Sequence, residues 1–514
     1  MQEKKELFVL SPFEVPDASL VLETLKTSAF PVLHLGRNEE KAIECLQTLS
    51  EKTQEKFGVC FSSESMTNLE LPENVTKIFV PFGFNIPVKA NTEIFYQIHS
   101  FEEANEAIKQ GISSIILKGN EGTGKVAYES SFVLLQGIKK NHPKSSTKIY
   151  MQGGMGIHTS AAALAMGAQG IILDSQIALF PECSIPKDLK NILSKLSGSE
   201  TVLIDDHRVL LRKNSPELPV QAKYADVLPY LGGLDLSKNI IPMGQDISLS
   251  IDFVERYKKL ENLVFAFHEA AYGHLLQAQT LNIIGENSPL AQDLGIKYPI
   301  AQGPMARVSD VSGFAEKVVN EGALPFIAMS LMIGKAAQEA VSKTGELLKD
   351  KPWGVGILGF APAQLRDEQM KYIMETKPPI VLIAGGRPSL AKPYEKEGMK
   401  VFLHVPSVAL LDMFLKEGAR NFIFEGRESG GHVGPLSSLV LWEKQIYRLL
   451  KDDSPSTLRL FFAGGIHDAF SSAFISIMSA SLAAKGAKIG VLMGSSYLFT
   501  KEAVETGAIL EEYQ

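Results

Sequence analysis

Cysteine is scarce in this chain: Cys45, Cys60 and Cys183 lie far apart, with no CxxC pair and no His/Cys spacing. That argues against a disulfide framework and against a zinc site. It fits reduced, buried thiols in a cytoplasmic protein. Long apolar runs are missing too, and none reaches the about 18 residues of a membrane span. The N-terminal MQEKKELFVL is too charged, and its apolar run too short, for a secretory signal. Positive charge is not in excess. A net charge of −7 offers nothing to nucleic acid or an anionic membrane. What remains is 45% apolar and 21% charged, the balance of a globular protein, and 514 residues exceed one ordinary core.

What the chain does have is a duplicated stretch. Residues Thr92 to Val126 align without a gap on Met399 to Val433, each position matching the one 307 later. Phe95 pairs with Phe402, Ser100 with Ser407, Gly111 with Gly418, Gly119 with Gly426, Glu121 with Glu428 and Gly124 with Gly431. Where the second copy places His432, the first places Lys125. Copies that differ at their most reactive position suggest one working site and one altered site.

Apolar runs alternate with amphipathic stretches of helical length throughout. ELFVLSPF, FPVLHLG, FGVCFSS, KIFVPFG, EIFYQIH, SIILKG, KIYMQGG and GIILDS fill the first half; YPIAQGPM, LPFIAM, WGVGILGF, PIVLIAGG, KVFLHVPS, NFIFEG, RLFFAGG and IGVLMG fill the second. The runs are rich in Val, Ile, Leu and Phe without alternation, as strands buried on both faces require. Eight βα units within roughly 230 residues favour a closed (β/α)8 barrel. The expectation is therefore an α/β protein of two tandem TIM-type barrels with a helical appendage between them. Its parts are an altered barrel with appendage over 1–260, a connecting helix over 261–285 and a second barrel over 286–514. The second copy lacks a matching appendage, so the chain reads as the front of a longer polypeptide.

In such barrels the loops at the C-terminal strand ends form the active site. The second copy supplies Gln302-Gly303-Pro304-Met305 after its first strand and Gly426 to Gly434, with His432, after its sixth. Ala463-Gly464-Gly465-Ile466 follows the seventh strand and Met493-Gly494-Ser495-Ser496 the eighth. Paired glycines at these last two positions let backbone N–H groups approach a phosphate. His432 follows two glycines on that face, where an imidazole can donate to a carbonyl or take a proton from carbon near neutral pH.

This loop set, over Leu294 to Phe499, resembles the FMN-dependent nitronate monooxygenases and their relatives, the FMN-dependent enoyl-ACP reductases. The ending GVLMGSSYLF and the long helix after AGGI are similar to reductase barrels fused in polyketide and polyunsaturated fatty-acid synthases. The resemblance implies FMN with its phosphate between Gly464/Gly465 and Gly494/Ser495. It places Gly303, Pro304 and Met305 against the ring system and gives Gln302, Gly356, His404 and Gly431 as further lining. It also implies His432 as the catalytic residue and NADPH or NADH as reductant. An acyl thioester on an acyl carrier protein would be the substrate and other synthase domains the partners.

The first copy departs from that pattern. Leu10-Ser11-Pro12-Phe13 replaces QGPM, Thr123-Gly124-Lys125 replaces GGH, and Gln152-Gly153-Gly154 keeps its glycines. Asp174-Ser175 stands at the last loop, where a carboxylate repels phosphate. This barrel is expected to bind FMN weakly or not at all, a divergent site using Lys125 being the alternative. The leading functional expectation is an enoyl-thioester reductase. Its rivals are a nitronate monooxygenase and a non-catalytic barrel pair within a megasynthase.

Overall fold

The computed structural model describes residues 5–86, 91–213 and 215–514. It divides into two compact units, Met1–Gly273 and His274–Gln514. The division falls inside the helix Leu260–Thr280, within the stretch expected to connect two barrels.

Each unit contains a closed barrel of eight parallel strands. In the first these are Glu6–Leu10, Phe30–His34, Phe57–Cys60, Val75–Pro81, Glu93–Ile98, Ser114–Lys118, Lys148–Gln152 and Gly170–Leu173. In the second they are Ile300–Gln302, Leu324–Ala328, Gly354–Leu358, Ile380–Ala384, Lys400–His404, Asn421–Glu425, Arg459–Ala463 and Lys488–Met493. The last strand pairs with the first in both, through Phe8 opposite Ile172 and Ala301 opposite Leu492. Nearly every strand residue is buried because the barrel interior covers one face and the helices the other.

Alternate residues turn inward. Phe8, Phe79, Phe95 and Tyr150 fill the first interior edge to face, with Phe95 and Tyr150 centred 4.9 Å apart. Leu324, Phe326, Leu382, Phe402, Ile423, Phe461 and Leu492 fill the second. The helix Pro289–Leu294 packs its Leu290, Ala291 and Leu294 into that second core.

The duplicated stretch repeats at atomic detail. Ser100 and Ser407 both cap a helix, accepting from the N–H groups of Glu103 and Leu410. Gly111 and Gly418 end those helices at φ +72° and +90°, a conformation that costs other residues a clash at Cβ. Glu121 accepts from Ser131 N–H at 3.1 Å and Glu428 from Ser438 N–H at 2.8 Å, so each caps the helix after its own loop.

The region between the first barrel's last strand and the second barrel is not purely helical. Thr201–Ile204 and His207–Leu210 form an antiparallel hairpin, joined on the latter strand by Ile241–Pro242 and by Gly124–Lys125 of the sixth-strand loop. Four such short pieces leave no periodic signal, and one pairs with a loop residue distant in sequence. Among the described residues no helix is long and apolar enough to cross a membrane.

At the N-terminal end of the second barrel, Asp293 accepts from Arg459 at 2.6 and 2.9 Å and from Lys488, with Lys400 3.9 Å away. It thereby ties the starts of three strands together. Burial opposes its ionisation, but Arg459 and Lys488 outweigh that and hold its carboxyl at about 2. A lowered carboxylate pKa stabilises the fold above the unfolded value near 4 and loses that contribution as pH falls towards 2. Asp293→Asn should lower stability at pH 7 by of order 1 kcal/mol, since solvent partly screens this half-buried cluster. The difference from the unsubstituted protein should shrink between pH 4 and 2. Thermal melts of both proteins across that range check it; a difference that stays constant with pH would exclude the ion cluster as its source.

Candidate active site

The inward residue at the C-terminal end of each strand sets the floor of each barrel mouth. In the second barrel the alternation places Gly303, Ala328, Gly356, Ala384, Ala463 and Gly494 there, with His404 and Glu425 from the fifth and sixth strands. Six of these eight have at most a methyl group, so the floor is a wide, shallow seat. Pro304 leans over it, and a Cβ on Gly356 would come within 2.5 Å of the proline ring. Met305 lies across from Gly494, whose Cβ position is 3.8 Å from its sulfur. Gly303 N–H donates to Met493 C=O at 2.8 Å and so links the first and eighth loops.

Gly464 and Gly465 both adopt left-handed backbone, at φ +116° and +72°. A Cβ on Gly464 would lie 2.5 Å from Ser438 Oγ and 3.0 Å from Ser429 Oγ. Ser429 Oγ and Ser496 Oγ are both buried without a hydrogen-bond partner. A tight glycine pair with the unsatisfied hydroxyl of Ser429 beside it, and that of Ser496 on the eighth loop, suits a phosphate. These residues fit the phosphate of a flavin mononucleotide, and the layer of small residues fits its planar ring.

His432 stands exposed on the sixth loop, its ring centred 4.6 Å from that of Phe360. Gly430 and Gly431 beside it have nothing within 4 Å of their Cβ positions, while the base of the loop is closed by Arg427 N–H donating to Leu436 C=O at 3.0 Å. His404 is buried beneath, with Nε2 3.3 Å from Glu425 Oε2. Burial, helped by the charge of His432, depresses His404 to about 4, and burial alone raises Glu425 to about 7. The pair is therefore a neutral imidazole beside a carboxyl held well above the usual carboxylate range.

Gln302 is turned away from the mouth. Its amide donates to Gly303 C=O and accepts from Phe326 N–H, which fixes the loop and does not line the seat. Of the residues expected to hold the cofactor, Gly303, Pro304, Met305, Gly356, His404, Gly464, Gly465 and Gly494 converge on one mouth. Ser495 lies in the helical turn Ser495–Phe499 beside them, and Gly431 on the loop above. Glu425 escaped the sequence reading, because a strand-end glutamate reads as a solvated flank. Its spacing of two from inward Ile423 was the available signal.

The first barrel's mouth is filled. Its inward layer carries His34, Cys60, Gln97, Lys118, Gln152 and Asp174. Gln97 donates to Gln152 and Gln152 to Asp174, whose other oxygen accepts from Ser175 N–H. The appendage then closes over it. Gly244 N–H donates to Thr123 and Ser175, Gln245 N–H to Glu121 C=O, and Asp246 takes Gly154 N–H at 3.2 Å. A carboxylate of the chain itself thus sits where the glycine pair of this copy would meet a phosphate. Burial, then Asp174, raises the Asp246 carboxyl well above the usual range. Lys125 lies in the strand paired with His207, half-exposed and 4.0 Å from Asp206.

Residues 287–510 match the nitronate monooxygenase family model. A curated relative is the (3aS,4S,5R,7aS)-5-hydroxy-7a-methyl-1-oxo-octahydro-1H-indene-4-carboxyl-CoA dehydrogenase of Rhodococcus jostii (strain RHA1). It is 26% identical over 227 residues, covering 44% of this chain and 58% of that protein. Solved structures that resemble the chain include FabK from Thermotoga maritima, at 30% identity and TM-score 0.35, covering 41% of this chain and 63% of that one. Another is the enoyl reductase domain of MlnA from the macrolactin cluster of Bacillus amyloliquefaciens, at 16% and 0.33, covering 43% and 58%. The chain thus spans about three fifths of the length of these relatives.

Glu425 makes a measurable claim. A carboxyl raised from 4.5 to about 7 keeps its proton in the folded protein after the unfolded chain has lost it. Stability is then highest below pH 4.5 with respect to this group and falls as pH rises through 7, by at most about 3 kcal/mol. Glu425→Gln should flatten that part of the stability–pH curve. Parallel curves for the two proteins between pH 4.5 and 7.5 would contradict the assignment.

Proposed function

We propose that the second barrel is an FMN-dependent oxidoreductase that reduces an enoyl thioester. The observation that carries this reading is the mouth itself: a floor of small residues, a left-handed glycine pair with two unsatisfied serine hydroxyls, and a histidine above. Exposed apolar side chains rim that mouth, with Leu331 and Ile333 at 65%, Phe360 at 53% and Phe499 at 71% exposure. They suit an acyl chain or the apolar arm that carries one. FMN, when bound, supplies the hydride chemistry. Gly464, Gly465, Gly494 and Ser495 would hold its phosphate by backbone N–H groups, with Ser429 and Ser496 adding hydroxyls. Pro304 and Met305 would confine the ring, and Gly356 would leave room for it.

In this reading the His432 imidazole N–H donates to the thioester carbonyl, which makes the β-carbon more electrophilic. The same ring can return a proton to the α-carbon after reduction. His404, neutral beneath the seat, does not compete for that proton. NADPH or NADH is the natural reductant, and the substrate an acyl group on a carrier protein within a polyketide or fatty-acid type of synthase, in the cytoplasm. The family match over residues 287–510 favours one other reading. There His432 is the base toward an alkyl nitronate oxidised with O2. NADPH oxidation with a crotonyl thioester, set against O2 uptake with propionate-3-nitronate, separates the two.

Two substitutions test the site. Gly464→Asp puts a carboxylate at the phosphate position and should abolish flavin binding, whereas Gly153→Asp in the first barrel should leave flavin content unchanged, as read by absorbance near 450 nm. Full flavin in the former would refute the placement. His432→Ala should keep the bound flavin while slowing turnover about 10²-fold or more. An unchanged kcat with the acyl substrate would reduce His432 to a bystander.

A further inference from the structure

Among the described residues the His432 imidazole has no hydrogen bond and no ion pair. What it rests against is Phe360, with ring centres 4.6 Å apart and planes tilted by 56°. Its neighbours Gly430 and Gly431 have no atom within 4 Å of their Cβ positions. Phe360 is differently placed. It lies in the turn after the third strand, and that turn is tied on three sides. Gly359 N–H donates to Ala384 C=O at 2.8 Å, Ala361 N–H to Leu358 C=O at 3.2 Å, and Arg366 Nη1 to Gly359 C=O at 3.0 Å.

The fourth loop closes on the same turn. A Cβ on Gly359 would come within 2.5 Å of Gly386 Cα, and one on Gly385 within 2.6 Å of the Phe360 ring. Gly385 is held at φ +67°, left-handed backbone that favours glycine. The phenyl ring therefore stands on a fixed base while 53% exposed. The third and sixth strands are three places apart in a ring of eight. A contact between their loops covers the strand ends between them, Ala384 and His404, and roofs that part of the seat.

We propose that Phe360 is the positioning residue of His432, its ring fixing the direction from which the imidazole meets the substrate. The proposal rests on the reading of His432 as the group that acts on substrate, as acid toward an acyl carbonyl or as base toward a nitronate. Phe360 exchanges no proton, and its effect passes through the histidine. An imidazole held by the face of another ring keeps both nitrogens free, whereas a hydrogen bond to the protein would engage one of them. For a residue that must both donate and accept a proton, that is the support its chemistry allows.

Carbethoxylation of His432 by diethyl pyrocarbonate, followed by mass spectrometry on the full chain saturated with FMN, reads the contact without turnover. Phe360→Ala should speed modification roughly two- to tenfold, the ratio to which one aromatic contact corresponds, and Phe360→Tyr should keep the original rate. Phe360→Leu serves as a second variant should Phe360→Ala fail to fold. Kinetics then separate positioning from direct contact with substrate. Phe360→Ala should lower kcat by roughly two- to tenfold when His432 is present, and by nothing further in a His432→Ala background. The cycle is read with whichever of the crotonyl thioester and propionate-3-nitronate turns over, so failure of the reductase assignment does not decide it; with neither, the modification rates decide. Equal modification rates in Phe360→Ala and the unsubstituted protein overturn the proposal. So does an equal loss of kcat in both backgrounds, which would place the phenyl ring directly on the substrate.

Discussion

A closed barrel of eight parallel strands can turn only one side chain per strand into each interior layer, and the volume of the layer at the mouth decides what else can enter. The rest of this molecule follows from that constraint. In the second barrel Gly303, Ala328, Gly356, Ala384, Ala463 and Gly494 leave the layer nearly empty. A flat ligand can therefore rest directly on the packed floor of Phe402, Phe461 and Leu492. In the first, Gln97, Gln152 and Asp174 occupy the corresponding space with a hydrogen-bonded network, beside inward-facing His34 and Lys118.

Both outcomes use the same scaffold. The serine caps, the left-handed glycines at helix ends and the glutamates Glu121 and Glu428 are retained between copies because they hold the strand–helix frame in place. What differs lies on the loops, where changes cost the frame little. Once the first mouth is filled from within, the appendage can settle on it. Arg208 donates to Asn120 of the sixth loop, and Asp246 meets Gly154. The carboxylate that replaces a phosphate there is buried, and its raised pKa marks the desolvation it bears.

Much of this was legible in the chain. Unalternating apolar runs mark strands buried on both faces, and sixteen of them in two sets of eight leave a tandem barrel as the economical fold. The paired glycines at 464–465, whose backbone is left-handed, were readable as a close-approach loop, and Lys125 against His432 as the position where the copies part. Long-range pairing was not legible. The hairpin at 201–210 depends on a loop strand about eighty residues earlier, and nothing near Asp246 in sequence points to Gly154. Glu425 and Lys118 were hidden for a related reason. A charged residue ending an apolar run looks like a solvated flank, and only barrel closure turns it inward. Gln302 shows the converse, since its place in a flavin-loop motif suggested a lining role while its amide is spent on Gly303 and Phe326.

The account stands on one mouth being open and the other being filled from within. The most direct measurement is an equilibrium titration of flavin-stripped protein with FMN, following quenching of flavin fluorescence to its stoichiometric end point. One FMN per chain, with no second, weaker phase, is the predicted result. Two equivalents per chain would show that the first mouth opens after all, and none would show that the small-residue seat of the second barrel is not a flavin site.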